Sequence, residues 1–279
     1  MNGKLIIALT PTGMIPTKDM TPHVPVTPDE VVEDVLVGRQ YGVSMVHLHA
    51  RDDDGTPTYK RDVYAKMIEG IRKVDKDMIL CVSTSGRNWP EFEKRSECLD
   101  LKGDLKPDMG SLTLSSLNFN KQASINTPQM IQDLAKKMMD NGIRPELEAF
   151  DLGMVNYAKY LHQKGLVKAP FYFNLILGNI ACAQANILNL GLMVNELPPD
   201  SLWSAGGVGD TQLKMNINAM VNGGGVRVGI EDNIWMSPKR KELATNQKMV
   251  KRIHDIAVAL EMDIATPSEA RVYLGLEAR

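Results

Sequence analysis

Short apolar runs rich in β-branched residues alternate along this chain with longer stretches whose apolar residues recur at helical spacing. The runs are KLIIALTP (4–11), SMVHLHAR (44–51), MILCVSTS (78–85), MGSLTLSS (109–116), RPELEAFD (144–151), FYFNLILG (171–178), SLWSAGGV (201–208) and GVRVGIED (225–232). Between them the grammar is helical. TPDEVVEDVLVGRQYG offers Thr27 as N-cap, Pro28 at the first helical position, Glu30 two positions further on and Gly42 as a stop. TPQMIQDLAKKMMDNG repeats the pattern with Thr127, Pro128 and Gly142. TQLKMNINAMVNGG and ATNQKMVKRIHDIAVALEM follow, and TPSEARVYLGL opens on another Thr-Pro pair. Eight strands alternating with helices, with no break in composition, predict an α/β fold of the (β/α)8 TIM-barrel type. The whole chain, 1–279, is expected to form one such domain, close to the ~250 residues typical of the barrel. A doubly wound open sheet is the rival. A GxGxxG after the first strand would favour it, and PTGMIP does not supply one.

Composition narrows the function. Hydrophobic residues make up 43% of the chain and the formal net charge is −2. No basic run stands out, so a nucleic-acid partner is not expected. Cys81, Cys98 and Cys182 are scattered without a CxxC pair. That fits a reducing cytoplasm, and neither a disulfide framework nor a cysteine zinc site. The start, MNGKLIIALTP, has no signal-peptide pattern. No apolar stretch approaches the ~20 residues of a membrane span. The expectation is a cytoplasmic globular protein with no membrane partner.

The chemistry is concentrated at strand ends. In HLHARDDDG, His47 and His49 share one strand face, with Cα atoms about 6.5–7 Å apart. Two imidazoles at that spacing can converge on one ion. Catalytic zinc usually takes three protein ligands and keeps a fourth position open. Glu231, closing the eighth run, is the best third ligand, because the eighth strand of a closed barrel neighbours the first and all C-terminal ends share one rim. The competing reading is a core strand with two hydrogen-bonded histidines. Arg51, Asp52, Asp53 and Asp54 follow at once, which suits an open rim better. RVGIED turns Arg227 inward alongside Glu231, with Asp232 next to it. PELEAFD puts Glu146 and Glu148 on one face, and for Glu146 an internal salt bridge is as good a reading as function. Ser83, Ser111 and Thr113 offer hydroxyls, none of them in a GxSxG elbow.

Taken in order, PTG, PVTPDE, VHLHARDDDGTPT, VSTSG, KPDMGSLTLSSLNF, PELEAFDLGMV, LILG, VRVGIEDN and ATPSEAR resemble the β-keto acid cleavage enzymes, over residues 5–271. The resemblance implies a zinc-bearing barrel, usually a homo-tetramer. It implies a reaction in which a β-keto acid and acetyl-CoA give acetoacetate and the acyl-CoA of the remaining chain. It implies His47, His49 and Glu231 as zinc ligands, and Ser83, Gly86, Ser111 and Thr113 at the substrate's carboxylate end. Arg227 with Asp232 matches the pair that acts in condensation and cleavage, and Glu148 an acid near the metal. One position departs. Where the aminohexanoate-cleaving members carry a glutamate that meets the substrate ammonium, this chain has Ile15, flanked by Met14 and Pro16. An ammonium there would lose its charge partner, so an uncharged or apolar tail is expected.

Cleaving a β-keto acid between its α and β carbons needs an electrophilic ketone and a way to hold enolate charge. Arg227 serves best by holding charge, since a guanidinium titrates above ~12. No P-loop for CoA is visible, so its phosphates would meet scattered basic groups such as Arg87, or loop backbone. The rivals are another metal-dependent lyase or aldolase on the same barrel that never uses CoA, and a barrel kept as a binding protein.

Overall fold

The computed structural model describes residues 3–279. Each of the eight runs supplies one parallel strand, the second starting one residue before its run: β1 (Ile7–Leu9), β2 (Val43–Leu48), β3 (Ile79–Val82), β4 (Met109–Thr113), β5 (Arg144–Ala149), β6 (Phe171–Leu177), β7 (Ser201–Gly207) and β8 (Gly225–Val228). They close in chain order into a barrel, with β8 pairing back onto β1 through Ala8 opposite Arg227. The chain is therefore a TIM barrel, and the open-sheet alternative falls. Most strands end before the runs do. The polar residues at each run's C-terminal end have left the sheet and form the rim.

Nine helices cover or close the barrel among the described residues. α1 (Pro28–Arg39) starts with the full capping box: the Thr27 hydroxyl accepts from the Glu30 amide and the Glu30 carboxylate accepts from the Thr27 amide. It ends three residues before Gly42, which turns the chain into β2 at φ +89°. α2 (Arg61–Val74) and α3 (Phe92–Ser96) follow β2 and β3, and neither has a side-chain N-cap bond. α4 (Pro128–Asp140) is capped by Thr127. α5 (Leu152–Gln163), α6 (Ile187–Asn195), α7 (Gln212–Val221) and α8 (Asn246–Ala259) complete the outer layer. α9 (Pro267–Tyr273) again carries a complete box, Thr266 with Glu269.

Strand alternation divides the core in two. Val46, Leu48, Leu80, Val82, Leu147, Phe173 and Leu175 point outward onto helix residues such as Val35, Ile68, Leu134 and Ile253. The interior holds Ile6, Ala8, Met45, Ile79, Met109 and Tyr172, packed against Ala270 of α9 and Leu274 just after it. α9 thus plugs the N-terminal mouth with apolar groups. Beside it, buried Asp108 accepts from Arg72 at 3.2 Å, Arg271 at 2.9 Å and Arg279 at 3.0 Å. With one end sealed in this way, the charged interior residues lie towards the other end. None of the helices is long and apolar enough to cross a membrane among the described residues.

Candidate active site

His47 sits in β2 with its side chain inside the barrel, opposite Cys81 of β3. His49 comes just after the strand, yet its ring still turns to the same side. The two Nε2 atoms are 3.3 Å apart and both residues are buried. Glu231 arrives from the turn after β8. That turn is set by two backbone contacts: the Glu231 amide donates to the Thr10 carbonyl at 3.2 Å, and Gly229 lies so close to that carbonyl that no Cβ could stand there. The Glu231 carboxylate then lies 3.3 Å from His49 Nε2. Gly13, at φ +68°, packs directly over Glu231. A Cβ at 13 would come within 2.5 Å of the Glu231 Cγ, so only glycine leaves the carboxylate its place. Arg51 staples this loop by donating to the carbonyls of Gly13 (2.7 Å), Pro16 (2.9 Å) and Gly55 (2.9 Å).

The three donor atoms fit a small divalent cation. His47 Nε2, His49 Nε2 and the Glu231 carboxylate all lie within 4.8 Å of one another. Tetrahedral zinc with bonds of about 2.0–2.1 Å needs ligand atoms about 3.3 Å apart, the spacing seen for both His–His and His–Glu. Glu231 Oε2 is buried without a partner among the described residues. A second group, His47 with Cys81 and Glu146, is also compact. It suits a cation poorly. His47 Nδ1 and Glu146 are already bonded to each other at 2.6 Å, and the other Glu146 oxygen is committed to Asn174.

Glu146 explains how His47 is aimed. It is fully buried on β5 and lies 2.6 Å from His47 Nδ1. Its other oxygen accepts from Asn174 at 3.0 Å, and the Cys81 thiol adds a weak bond at 3.4 Å. With a proton held on Nδ1, the Nε2 lone pair is left facing His49 and Glu231. Burial pulls the His47 imidazolium down, but the Glu146 carboxylate overrides it and pushes the group up to about 9. A cation at Nε2 would displace that proton.

Arg227 is the largest of the fully buried side chains. Its Nε donates to Asp232 at 2.7 Å and its Nη2 donates to Glu231 at 2.7 Å, with a longer bond to Asp232 at 3.3 Å. Nη1 is buried and unpartnered among the described residues. Burial disfavours the cation, but Asp232 and Glu231 outweigh that and hold the guanidinium well above its ordinary value. Burial also opposes ionisation of Glu231, yet Arg227 and His49 keep its carboxyl well below the usual range. Glu148, two residues after Glu146 on the same face, is different. Burial raises its pKa, and Thr113 donates to it at 2.6 Å.

The structure brings His47, His49, Glu231, Arg227 and Asp232 into one cluster, with Glu148 and Thr113 paired on the neighbouring β4–β5 sector. Ser111 spends its hydroxyl on the Thr84 amide at 3.1 Å, and Ser83 on the Ser85 amide at 3.2 Å. Both shape the loop after β3. Gly86 lies in that loop against the Arg95 guanidinium, where a side chain would collide. Ile15 is 52% exposed on the loop after β1. Reading the sequence left Glu146 undecided and missed Asn174, Gly13 and the part Arg51 plays. Only the period-2 pairing of Glu146 with Glu148 hinted at the first. A cavity of about 450 Å³ lined by Leu5, Ile6, Trp203 and Tyr273 lies at the other end of the barrel. It gathers no comparable set of titratable groups.

A closed parallel barrel whose polar cluster stands at the C-terminal ends of its strands is a TIM-barrel enzyme. The chain belongs to the beta-keto acid cleavage enzyme family, whose model matches residues 4–276. It is 36% identical to the 3-keto-5-aminohexanoate cleavage enzyme of Fusobacterium nucleatum over 279 residues, 99% of this chain and 100% of that one. It is 33% identical to the 3-oxoadipate:acetyl-CoA acetyltransferase of Cupriavidus necator, over 99% of this chain and 96% of that one. ObcA in its binary complex with oxaloacetate shares the fold, with a TM-score of 0.79 at 20% identity over 92% of this chain and 68% of that chain. Relatives of this family are named as acetyl-CoA transferases of keto acids, and this chain is an enzyme of that acyl-transferring, carbon–carbon-cleaving class.

Proposed function

We propose that this enzyme condenses a β-keto acid having an uncharged or apolar tail with acetyl-CoA, giving acetoacetate and the acyl-CoA of the remaining chain. On this reading the barrel is one domain with a zinc site at its C-terminal rim, held by His47, His49 and Glu231. The observation that carries it is the set of three donor atoms gathered within 4.8 Å, with His49 3.3 Å from each of the other two, beside an arginine with one buried, uncommitted nitrogen. Zinc, when bound, supplies Lewis acidity toward the ketone.

The side chains divide the remaining work. Glu146 holds His47 in the tautomer that presents Nε2. Arg227 stays cationic throughout, so it stabilises charge and does not abstract a proton. Asp232 fixes the plane of its guanidinium, which leaves Nη1 to donate to oxyanion charge as it develops. Glu148 carries the one raised carboxyl paired with a hydroxyl, which suits it to holding a proton for transfer. Ser83, Gly86, Ser111 and Thr113 line the β3–β4 side, where the carboxylate end is expected. Ile15, with Met14 and Pro16 in the loop packed over Glu231, offers a tail no charge partner. The reading extends to a cytoplasmic homo-tetramer, with no nucleic acid or membrane as partner.

The test is a panel of β-keto acids with acetyl-CoA, read out as acetoacetate. An uncharged β-keto acid should exceed 3-keto-5-aminohexanoate of similar length in kcat/KM. A clear preference for the amino substrate would defeat the tail assignment. Turnover that does not depend on acetyl-CoA would favour an aldolase instead.

A further inference from the structure

Arg51, Arg87, Arg95 and Arg227 stand near the carboxylates of this cluster, and all but Arg87 are anchored by hydrogen bonds of their guanidinium. Arg227 is committed to Asp232 and Glu231. Arg51 is committed to the carbonyls of Gly13, Pro16 and Gly55. Arg95 donates to the Thr84 and Ile125 carbonyls and to the Asn126 side chain. The fourth, Arg87, follows Gly86 in the loop after β3. Its guanidinium makes no ion pair or hydrogen bond among the described residues, and its Nε is buried without a partner.

Arg87 is nevertheless held in place. The guanidinium carbon lies 3.7 Å above the centre of the Phe119 ring. Phe119 is braced edge-on by Phe150 at 6.0 Å, and Phe150 follows β5 two residues after Glu148. A half-buried cation stacked on an aromatic face keeps its in-plane N–H groups free for a planar, bidentate acceptor. The carboxylates of the cluster do not serve as that acceptor: Arg227 donates to Glu231 and Asp232, Thr113 donates to Glu148, and none of the three bonds to Arg87 among the described residues.

We propose that Arg87, laid on Phe119, is the receptor for the carboxylate of the β-keto acid. The assignment rests on the function proposed above. A keto acid's carboxylate is joined to the reacting ketone through a single carbon, so it must bind next to the cluster. The phosphates of CoA stand a whole pantetheine arm away from the thioester, so they have no need of an arginine this close in. Arg87 therefore acts as a binding residue for the acid end and leaves the chemical step to Arg227.

The experiment uses the zinc-loaded enzyme with acetoacetate as the probe, since it carries the same acid end. Calorimetry should show acetoacetate binding weakened about tenfold to a hundredfold in Arg87→Met, the range for losing a charged hydrogen-bond pair. Arg87→Lys should recover part of it. KM for acetyl-CoA should stay unchanged in both. Phe119→Leu keeps the charge and removes the platform, and should weaken acetoacetate binding severalfold, so the proposal stays testable if Arg87→Met folds poorly. Unchanged acetoacetate binding in Arg87→Met overturns the proposal. A rise in KM for acetyl-CoA alone also overturns it and assigns the arginine to a phosphate. If the parent enzyme neither binds acetoacetate nor forms it from any keto acid, the functional reading fails, separately from the Arg87 assignment.

Discussion

Glu146 shows how much one buried carboxylate can decide. Its two oxygens are used up by His47, Asn174 and Cys81, so it contributes no free charge to the site. What it contributes is the direction of the His47 lone pair. Glu146→Gln should therefore weaken zinc binding about 10–100-fold, the usual effect of losing a partner behind a ligating histidine, as read by competition with a chelator. Unchanged affinity would mean that packing alone orients the ring. His49→Ala removes a ligand outright and should abolish most bound metal while leaving the fold. Full occupancy by metal analysis would contradict the ligand set. Arg227→Lys tests a different property. It keeps the charge but loses the fork that Asp232 and Glu231 hold, so metal should be retained while most turnover is lost. Metal content and kcat on the same preparation separate these effects.

At the scale of single elements, α9 is the sharpest case. It is short, and its work is to drive Ala270 and Leu274 into the open mouth of the barrel. A helix of this length has little stability of its own, so the capping box of Thr266 with Glu269 matters. Thr266→Ala should cost about 1 kcal/mol, a fall in melting temperature of about 2 °C for a protein this size, with the rim chemistry untouched. A loss of metal in that variant would mean that the two ends of the barrel are coupled. The loop after β1 is the counterpart at the rim. Gly13→Ala would press on Glu231 at a backbone conformation that alanine disfavours, and should lower metal affinity as well as the melting temperature of the metal-free protein; unchanged metal affinity would mean that the loop does not position Glu231.

For the whole molecule, the tie that joins distant parts of the chain is Asp108 with Arg72, Arg271 and Arg279. It fastens α2 and the C-terminal segment to the start of β4. Burial opposes ionisation of Asp108, but Arg271 and Arg72 outweigh it and hold the carboxyl below its ordinary value. A depressed folded pKa means that its stabilisation is complete above the unfolded pKa, near 3.9, and is lost as pH falls through the folded one. Asp108→Asn should thus cost about 3–5 kcal/mol at neutral pH, because two buried guanidinium groups lose their counter-charge. The gap to the parent in denaturant midpoint should hold down to about pH 4 and close below it. A gap independent of pH down to acid denaturation would show that the arginines are satisfied by their carbonyl partners instead.

The sequence alone determined what depends on local rules. Period-2 and period-3.6 patterns located all eight strands, and the Thr-Pro caps located the starts of α1, α4 and α9, because these signals are written in adjacent residues. HLH followed by polar residues also named the cluster to look at. Partners were decided only by the tertiary structure. His47 and Glu146 are separated by 99 residues, and nothing near either one says which acid will face which imidazole. Whether Arg51, Arg87 or Arg227 is free depends on carbonyls and carboxylates that other loops bring in. Gly13 looks like any turn glycine until Glu231 is packed over it. Barrel closure makes these pairings, since it brings β8, β1 and β2 side by side and leaves each loop one set of neighbours to satisfy.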